Sequence, residues 1–328
     1  MSVTVQDPEI DPDSPSRSTP LPAVARAQKA DAVWLQALAF AVIYLIWGST
    51  YLGIRVAVRT LPPLLMAGCR FLLAGGVLYA VLRLRGVRAP ARKEWVRAGA
   101  AGAAMLTVGN GVVTWVEQRV PSNQAALMIA AVPLFSALLD WLRPAGNRPR
   151  PRTFLGIGLG AVGMVLLMFG RGRAGSDQVS ALGLAALLLS GFAWAAGSLY
   201  ARYAVMHPQP LMVAAQEMLV GGTLLTLLAI ARGEPQQLTR AALIAPSLLA
   251  FAYLTVMGSL VAFSAFGWLV KVSTPARLST TAYVNPVVAV ILGWALLGET
   301  LSPRALGGAA LIVGAVVVMS LRGRKPRD

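Results

Sequence analysis

Ten apolar stretches, each near the ~20 residues that a ~30 Å hydrocarbon core demands of a helix, recur along this 328-residue chain. They run over 34–54, 63–82, 97–116, 123–142, 153–169, 181–201, 211–230, 245–269, 277–297 and 304–321. Inside lipid a backbone polar group has no water to bond, so apolar runs of this length predict helices that satisfy themselves. The expected fold is an all-α integral membrane protein of ten transmembrane helices. Composition agrees, because 56% hydrophobic against 13% charged residues does not supply a soluble surface. Leu61-Pro62-Pro63, Thr274-Pro275 and Ser302-Pro303 each place a proline at a first helical turn, where its missing N–H is harmless.

Residues 1–32 carry Asp7, Glu9, Asp11, Asp13 and Asp31 among prolines and serines, a mixture that buries too little apolar area to order itself. A disordered cytoplasmic tail is expected there. It lacks the short basic start and small-residue cleavage site of a signal peptide, so the first apolar run is expected to stay as a membrane helix. With the N-terminus inside, the inner segments hold 20 Lys and Arg and the outer ones 8, which places both termini in the cytoplasm. The net charge of +16 would suggest nucleic acid in a soluble protein, but here the positive-inside rule accounts for it. Cys69 is the single cysteine and His207 the single histidine, which excludes an internal disulfide and a multi-histidine zinc site; no cofactor is expected.

The chain repeats itself. A shift of 147 lays Trp47–Leu78 over Trp194–Leu225 with 11 of 32 positions identical, pairing Trp47 with Trp194, Arg55 with Arg202, Pro63 with Pro210 and Gly75 with Gly222. A shift of 153 pairs Pro133 with Pro286 and Trp141 with Trp294. Two halves of five helices follow, 33–170 and 171–321, before a basic cytoplasmic tail at 322–328. An odd number of spans per half makes the second copy enter from the opposite side, giving an inverted repeat. Two such halves can exchange conformations and open one central site alternately to each face, which is the mechanics of a secondary transporter.

Several motifs together carry a family resemblance: Ile46-Trp47-Gly48-Ser49-Thr50-Tyr51, Pro62-Pro63 with Met66-Ala67-Gly68-Cys69-Arg70-Phe71, Val108-Gly109-Asn110-Gly111, Trp194 to Tyr200, and Tyr283-Val284-Asn285-Pro286 with Gly298-Glu299. Over residues 34–321 the chain resembles the EamA-type exporters of the drug/metabolite transporter superfamily, closest to the YedA-like subgroup. The first half departs from the pattern, carrying the Arg- and Pro-rich stretch 143–152 where the second half has Gly-Glu. The resemblance implies export of small metabolites or drugs across a bacterial inner membrane, through a cavity lined by helices 1, 3, 4, 6, 8 and 9.

Residue chemistry nominates the cavity wall independently. Tyr44, Trp47 or Gly48, Tyr51 and Arg55 share one face of the first helix, with Thr50 beside them in the motif, and Trp194, Ser198 and Arg202 repeat the pattern on the sixth. The alternative is an interfacial aromatic belt. Asn110 and Thr114 lie one turn apart on the third helix, Ser259, Phe263 and Ser264 interrupt the eighth, and Ser279, Tyr283, Asn285 and Pro286 lie on the ninth. Such groups need either a wet cavity or a hydrogen bond to a neighbouring helix. Pro133 and Pro286 are candidate hinges, or static kinks. Arg70 and Glu217 occupy equivalent repeat positions with opposite sign, but entering from opposite faces they differ in depth by roughly 10 Å in a ~30 Å core, which strains a direct ion pair. Both are ion-coupling candidates, Glu217 as a proton-coupling carboxylate and Arg70 as an anion-attracting group. Structural hydrogen bonding and snorkelling are the alternatives. Glu117, Asp140 and Glu299 sit at helix ends, where solvation explains them, and His207 is expected in a solvated turn before Pro208.

Gly158-Leu159-Gly160-Ala161-Val162-Gly163 spells a dinucleotide fingerprint but lies inside an apolar helix without a strand before it, so helix packing is expected. An intramembrane enzyme would want a base beside a nucleophile or paired deep carboxylates, and neither pattern is present. A passive channel or uniporter is the nearer alternative, disfavoured by the inverted repeat. No loop is long enough for a nucleotide-hydrolysing domain, so a gradient is the expected energy source. A small-molecule substrate and the bilayer are the expected partners, and the oligomeric state is open.

Overall fold

Helix propensity carries the first helix further than its apolar stretch requires. The computed structural model describes residues 23–116, 118, 132–144, 146, 151–169, 181–204, 206–297 and 303–320. Glu117, Glu299, the first half of the expected fourth span and both extreme tails lie outside them. Helix α1 spans Ala23–Ala57, ten residues longer at its start than the expected ordered part, because Ala23 to Ala32 is alanine-rich and strongly helix-forming.

The remaining rods follow the apolar stretches. Helix α2 is Pro63–Leu84, α3 runs over Arg92–Val116, α4 is Val132–Leu142, α5 is Pro151–Phe169 and α6 is Ala181–Tyr203. In the second half α7 is Pro210–Ala231, α8 runs over Ala245–Val272, α9 is Thr281–Leu297 after a short turn at Pro275–Leu278, and α10 is Pro303–Ser320. Prolines open α2, α5, α7 and α10, as their fixed φ and missing N–H favour. Among the described residues five helices are long and apolar enough to cross a membrane: Val33–Ala57, Pro63–Leu84, Arg92–Val116, Pro210–Ala231 and Ala245–Val272. Leu45, Leu73 and Leu249 are 63%, 52% and 71% exposed, an outward apolar surface suited to lipid rather than water.

Packing joins equivalent helices of the two halves. Helix α2 lies along α7 and α5 along α10, while α1 packs on α8 and α9, and α6 on α3 and α4. Small residues permit the close approaches: a Cβ on Gly102 would come within 2.4 Å of the Glu217 carbonyl, and one on Gly222 within 2.9 Å of the Leu72 amide. Gly160 and Gly163 serve the same end. A Cβ on the first would strike the Tyr283 ring at 2.6 Å, and one on the second the Gly308 carbonyl at 2.8 Å, so these two fingerprint-like glycines are packing residues, whereas a Cβ on Gly158 would meet nothing within 4 Å.

Helix directions follow from two polar contacts. Past the end of α1 the Thr60 hydroxyl donates to the Ala242 carbonyl (2.7 Å) just before α8, whereas Arg202 near the end of α6 donates to the Val270 carbonyl (2.7 Å) at the far end of α8. Helices α1 and α6 therefore pass α8 in opposite directions, and the bundle has one face where α1 ends and another where α6 ends.

Both α3 and α8 leave α-helical register midway, over Ala103–Asn110 and Leu254–Phe263, where the turn widens to a π-helix. These segments lie at equivalent places in the two halves. A π-turn shifts backbone carbonyls away from their usual partners and marks functional sites. Here each shifted segment is met from the other half: Ser190 donates to the Gly109 carbonyl (2.6 Å) and the Trp47 indole N–H to the Gly258 carbonyl (3.2 Å).

Candidate binding cavity

The widened turns of α3 and α8 flank a cavity of about 130 Å³ lying toward the face where α1 ends. Trp47, Thr50 and Tyr51 reach it from α1, Arg70 from α2, Asn110 from α3, Trp194 from α6 and Asn285 from α9. Seven sequence candidates are thus brought to one wall. The indoles of Trp47 and Trp194, equivalent in the two halves, meet edge to face with centroids 5.5 Å apart, and Phe266 packs on both at 5.1 and 5.4 Å. Phe263 extends the cluster, 6.1 Å from Phe266. Aromatic pairs at such spacings add directional attraction to their burial.

Arg70 is 4% exposed, and its guanidinium donates to Asn110 Oδ1 at 2.8 Å while lying 4.4 Å from the Phe71 ring. The same Oδ1 lies 3.3 Å from the Thr114 hydroxyl, which also donates to the Asn110 carbonyl at 2.9 Å. Asn110 is thereby fixed from two sides and holds the guanidinium in place. Asn285 is 5% exposed, and its Oδ1 has no hydrogen-bond partner among the described residues.

The other candidates stand elsewhere. Thr114 is fully buried behind Asn110. Ser259 is buried off the wall, and Tyr283 packs on Gly160 with its hydroxyl 3.5 Å from the Ile157 carbonyl, so its aromatic face serves helix packing. Glu217 is 2% exposed between α7 and α3, away from the cavity, beside the fully buried Gln216. Helix α9 runs on through Pro286, and Pro133 lies in the first turn of the described part of α4. Ser198 lines a second, smaller chamber with Arg202, Phe266 and Ser279, and Val132, Trp194 and Thr281 line both this chamber and the main cavity.

Below that chamber the helix ends are tied together. Arg202 donates to the carbonyls of Val270 and Ser273 at the end of α8, and Lys271 of α8 donates back to those of Ala201 and Arg202 at the end of α6. The Tyr203 hydroxyl bonds Asp140 at 3.0 Å, Arg143 stacks 3.6 Å from the Tyr203 ring, and Arg143 pairs with Asp140 at 3.6 Å, bringing in the end of α4. Asp140 is therefore 8% exposed and bonded rather than freely solvated, because the turn after α4 folds Arg143 over it. His207 also departs from expectation. The turn at Pro208 draws it inward to 4% exposure, where Nδ1 accepts the Gln209 N–H at 3.0 Å.

Sequence reasoning missed Phe266, Ser190, Thr281 and the Gly258 carbonyl. Phe266 carried a weak signal, since it lies one turn beyond Phe263 on an interrupted helix.

The profile of the EamA-like transporter family matches residues 34–169 and 181–321. The Escherichia coli (strain K12) inner membrane transporter YedA is 41% identical over 283 residues, covering 85% of this chain and 88% of that protein. A probable terminal-alkyne amino-acid exporter of Streptantibioticus cattleyicolor is 28% identical over 89% of this chain and 94% of its own length. A chain of known crystal structure superposes with a TM-score of 0.70 at 24% identity, over 87% of this chain and 96% of that one, a likeness of fold.

Proposed function

The chain belongs to the EamA-like transporter family, an all-helical membrane protein with two domains of that family, and on this premise we propose that it is a secondary transporter working by alternating access. The bundle of ten spans acts as two inverted five-helix repeats around the central cavity, and exports a small metabolite or drug from the cytoplasm. The observation that carries this reading is the meeting of Trp47 and Trp194, equivalent residues of the two halves, at the cavity wall. The opposite passage of α1 and α6 along α8 supports the inversion. The excess of Lys and Arg on one side supports cytoplasmic termini, which puts the cavity toward the outer face and the tied helix ends toward the inner.

A transporter family, not an enzyme family, fits a wall that presents aromatic rings, amides and hydroxyls. The Streptantibioticus relative's name supports export and a small-molecule cargo. Glu217 is the proposed proton-coupling carboxylate, acting through the packing of α7 on α3 and α8 rather than at the substrate, with Pro133 and Pro286 as hinges.

The test is transport by purified protein in liposomes. A panel of amino acids, purines and cationic drugs is offered, with labelled-substrate counterflow and an internal pH dye as readouts. Carriage above that of empty liposomes, abolished in Trp47→Ala while that variant still inserts, is the expected result. Full activity in Trp47→Ala would remove the aromatic cluster from the pathway.

A further inference from the structure

The turn between α2 and α3 is closed from both ends and holds its charges in place. Helix α2 ends on Gly86, whose φ of 81° lets its own N–H reach the Arg83 carbonyl (3.1 Å) and the Val87 N–H the Leu82 carbonyl (3.0 Å). Helix α3 begins with the Glu94 carboxylate accepting the Ala91 N–H at 2.8 Å, and the same carboxylate accepts from both terminal nitrogens of the Arg88 guanidinium. Arg88 is thereby neutralised, and Arg83 donates to the Val87 carbonyl. Arg85, Arg92 and Lys93 remain, exposed and with side chains that make no hydrogen bond or ion pair among the described residues. Apolar surface adjoins them. Leu73, Val77, Val81 and Leu84 follow one another at helical spacing along the outward side of α2, and the stripe runs directly into Arg85. Leu84 is 88% exposed and Val96 of α3 66%. Between the two helices the Tyr79 and Trp95 rings meet with centroids 5.8 Å apart, a pairing suited to headgroup depth. Gly68 packs on Thr226 whereas Gly75 packs on Ala215 and Met218, so α2 and α7 are antiparallel. The turn therefore lies where α7 begins, at the face where α6 ends.

Resting on the orientation given above, in which that face is cytoplasmic, we infer that this turn is a binding site for an anionic phospholipid of the inner leaflet. Arg85, Arg92 and Lys93 meet the headgroup phosphate, and an acyl chain lies along the apolar stripe of α2. The continuity of stripe and cations favours lipid over a soluble anion, because it offers one molecule both an apolar and an electrostatic contact, and two such contacts together bind where either alone is weak. Fixed positive charge at the inner surface attracts anionic headgroups. The two helix caps hold the turn before the lipid arrives, so its backbone loses little freedom on binding. A lipid bound there fixes the end of α2 and the start of α3 at headgroup depth, on the same face as the tied helix ends.

The experiment measures lipid binding by the full chain in a neutral detergent, by native mass spectrometry and by the thermal midpoint. Cardiolipin, phosphatidylglycerol, phosphatidylcholine and inorganic phosphate are the probes. Cardiolipin and phosphatidylglycerol are expected to bind and to raise the midpoint, and phosphatidylcholine and inorganic phosphate to do neither. Arg85→Gln, Arg92→Gln and Lys93→Gln combined are expected to weaken anionic-lipid binding about a hundredfold, from about fivefold for each cation at the membrane surface. The same charge removed at the opposite face, by Arg55→Gln, Arg59→Gln and Arg240→Gln, is expected to leave binding unchanged. Should the first triple variant fail to fold, its three single variants decide, each expected to lose about fivefold. Undiminished binding by the first triple variant, equal loss in both, or no binding of either anionic lipid by wild type would overturn the site. Phosphatidylcholine bound as tightly as phosphatidylglycerol, or inorganic phosphate stabilising as much, would overturn it too. The orientation is read separately. Lys93→Cys in a Cys69→Ser background is expected to react with a membrane-impermeant maleimide in inverted vesicles and not in intact cells. The reverse pattern would overturn the inner-leaflet placement and the orientation together, whichever way the detergent titration falls.

Discussion

Arg70 and Glu217 occupy equivalent positions of the two halves, and the asymmetry of their surroundings has given them different work. Arg70 looks into the cavity from α2, held by Asn110. Glu217 is pressed under Gly102, where even a Cβ would come within 2.4 Å of its carbonyl, and the ammonium of Lys271 acts on it from α8. A carboxylate so placed senses how α7 sits against α3 and α8. Replacing it by glutamine keeps the shape and removes the titration. Glu217→Gln is expected to insert normally and to transport with a flat pH profile between about pH 5 and 8, measured with the internal dye. A profile identical to wild type would assign the residue to packing alone. Trp47, Trp194, Arg70 and Asn110 were legible in the sequence because charge, amide and indole are rare inside apolar runs and because two of them recur at a fixed shift. Tyr283 was ambiguous for the converse reason: a buried phenol on a helix face satisfies a neighbouring carbonyl and a cavity equally well, and the structure seats its ring on Gly160.

The helices themselves were readable from hydropathy, since the lipid core fixes their length and the prolines fix their starts. Their widened turns were not. A π-turn adds no residue type and breaks no apolar run, so Ala103–Asn110 and Leu254–Phe263 leave little mark in the letters. Yet these turns place the cavity, and each is braced by a donor from the opposite half. The brace is testable by paired substitutions. Ser190 donates across to the Gly109 carbonyl, whereas Ser198 donates to the Ala195 carbonyl of its own helix. Ser190→Ala is expected to lower the thermal midpoint in detergent, by the equivalent of about 0.5–2 kcal/mol typical of interhelical hydrogen bonds in membranes, and Ser198→Ala to lower it less. Equal shifts would mean that the widened turn of α3 holds without help from α6.

At the scale of the whole molecule, the two faces are closed unequally. At one, Arg202 and Lys271 exchange hydrogen bonds with each other's helix ends, and the Asp140, Tyr203 and Arg143 cluster adds a third helix. At the other, Arg55, the equivalent of Arg202 in the first half, is exposed. On the proposed mechanism, two inverted halves that trade conformations would trade these roles, so the tie at the end of α6 would stabilise one state and would have to open for the other. Removing it should shift the population toward the state open at that face, by roughly tenfold for each 1.4 kcal/mol lost. Ser198 lines the chamber just behind the tie and is a suitable reporter. In a Cys69→Ser background, a cysteine at position 198 is expected to react several-fold faster with a membrane-impermeant maleimide from the tied face once Arg202→Ala and Lys271→Ala are combined. Arg55→Ala should leave that rate unchanged or slow it. If the double substitution does not change labelling at 198, the tie is ordinary surface bonding, and the barrier to that chamber rests on the residues shared with the main cavity, Val132, Trp194 and Thr281.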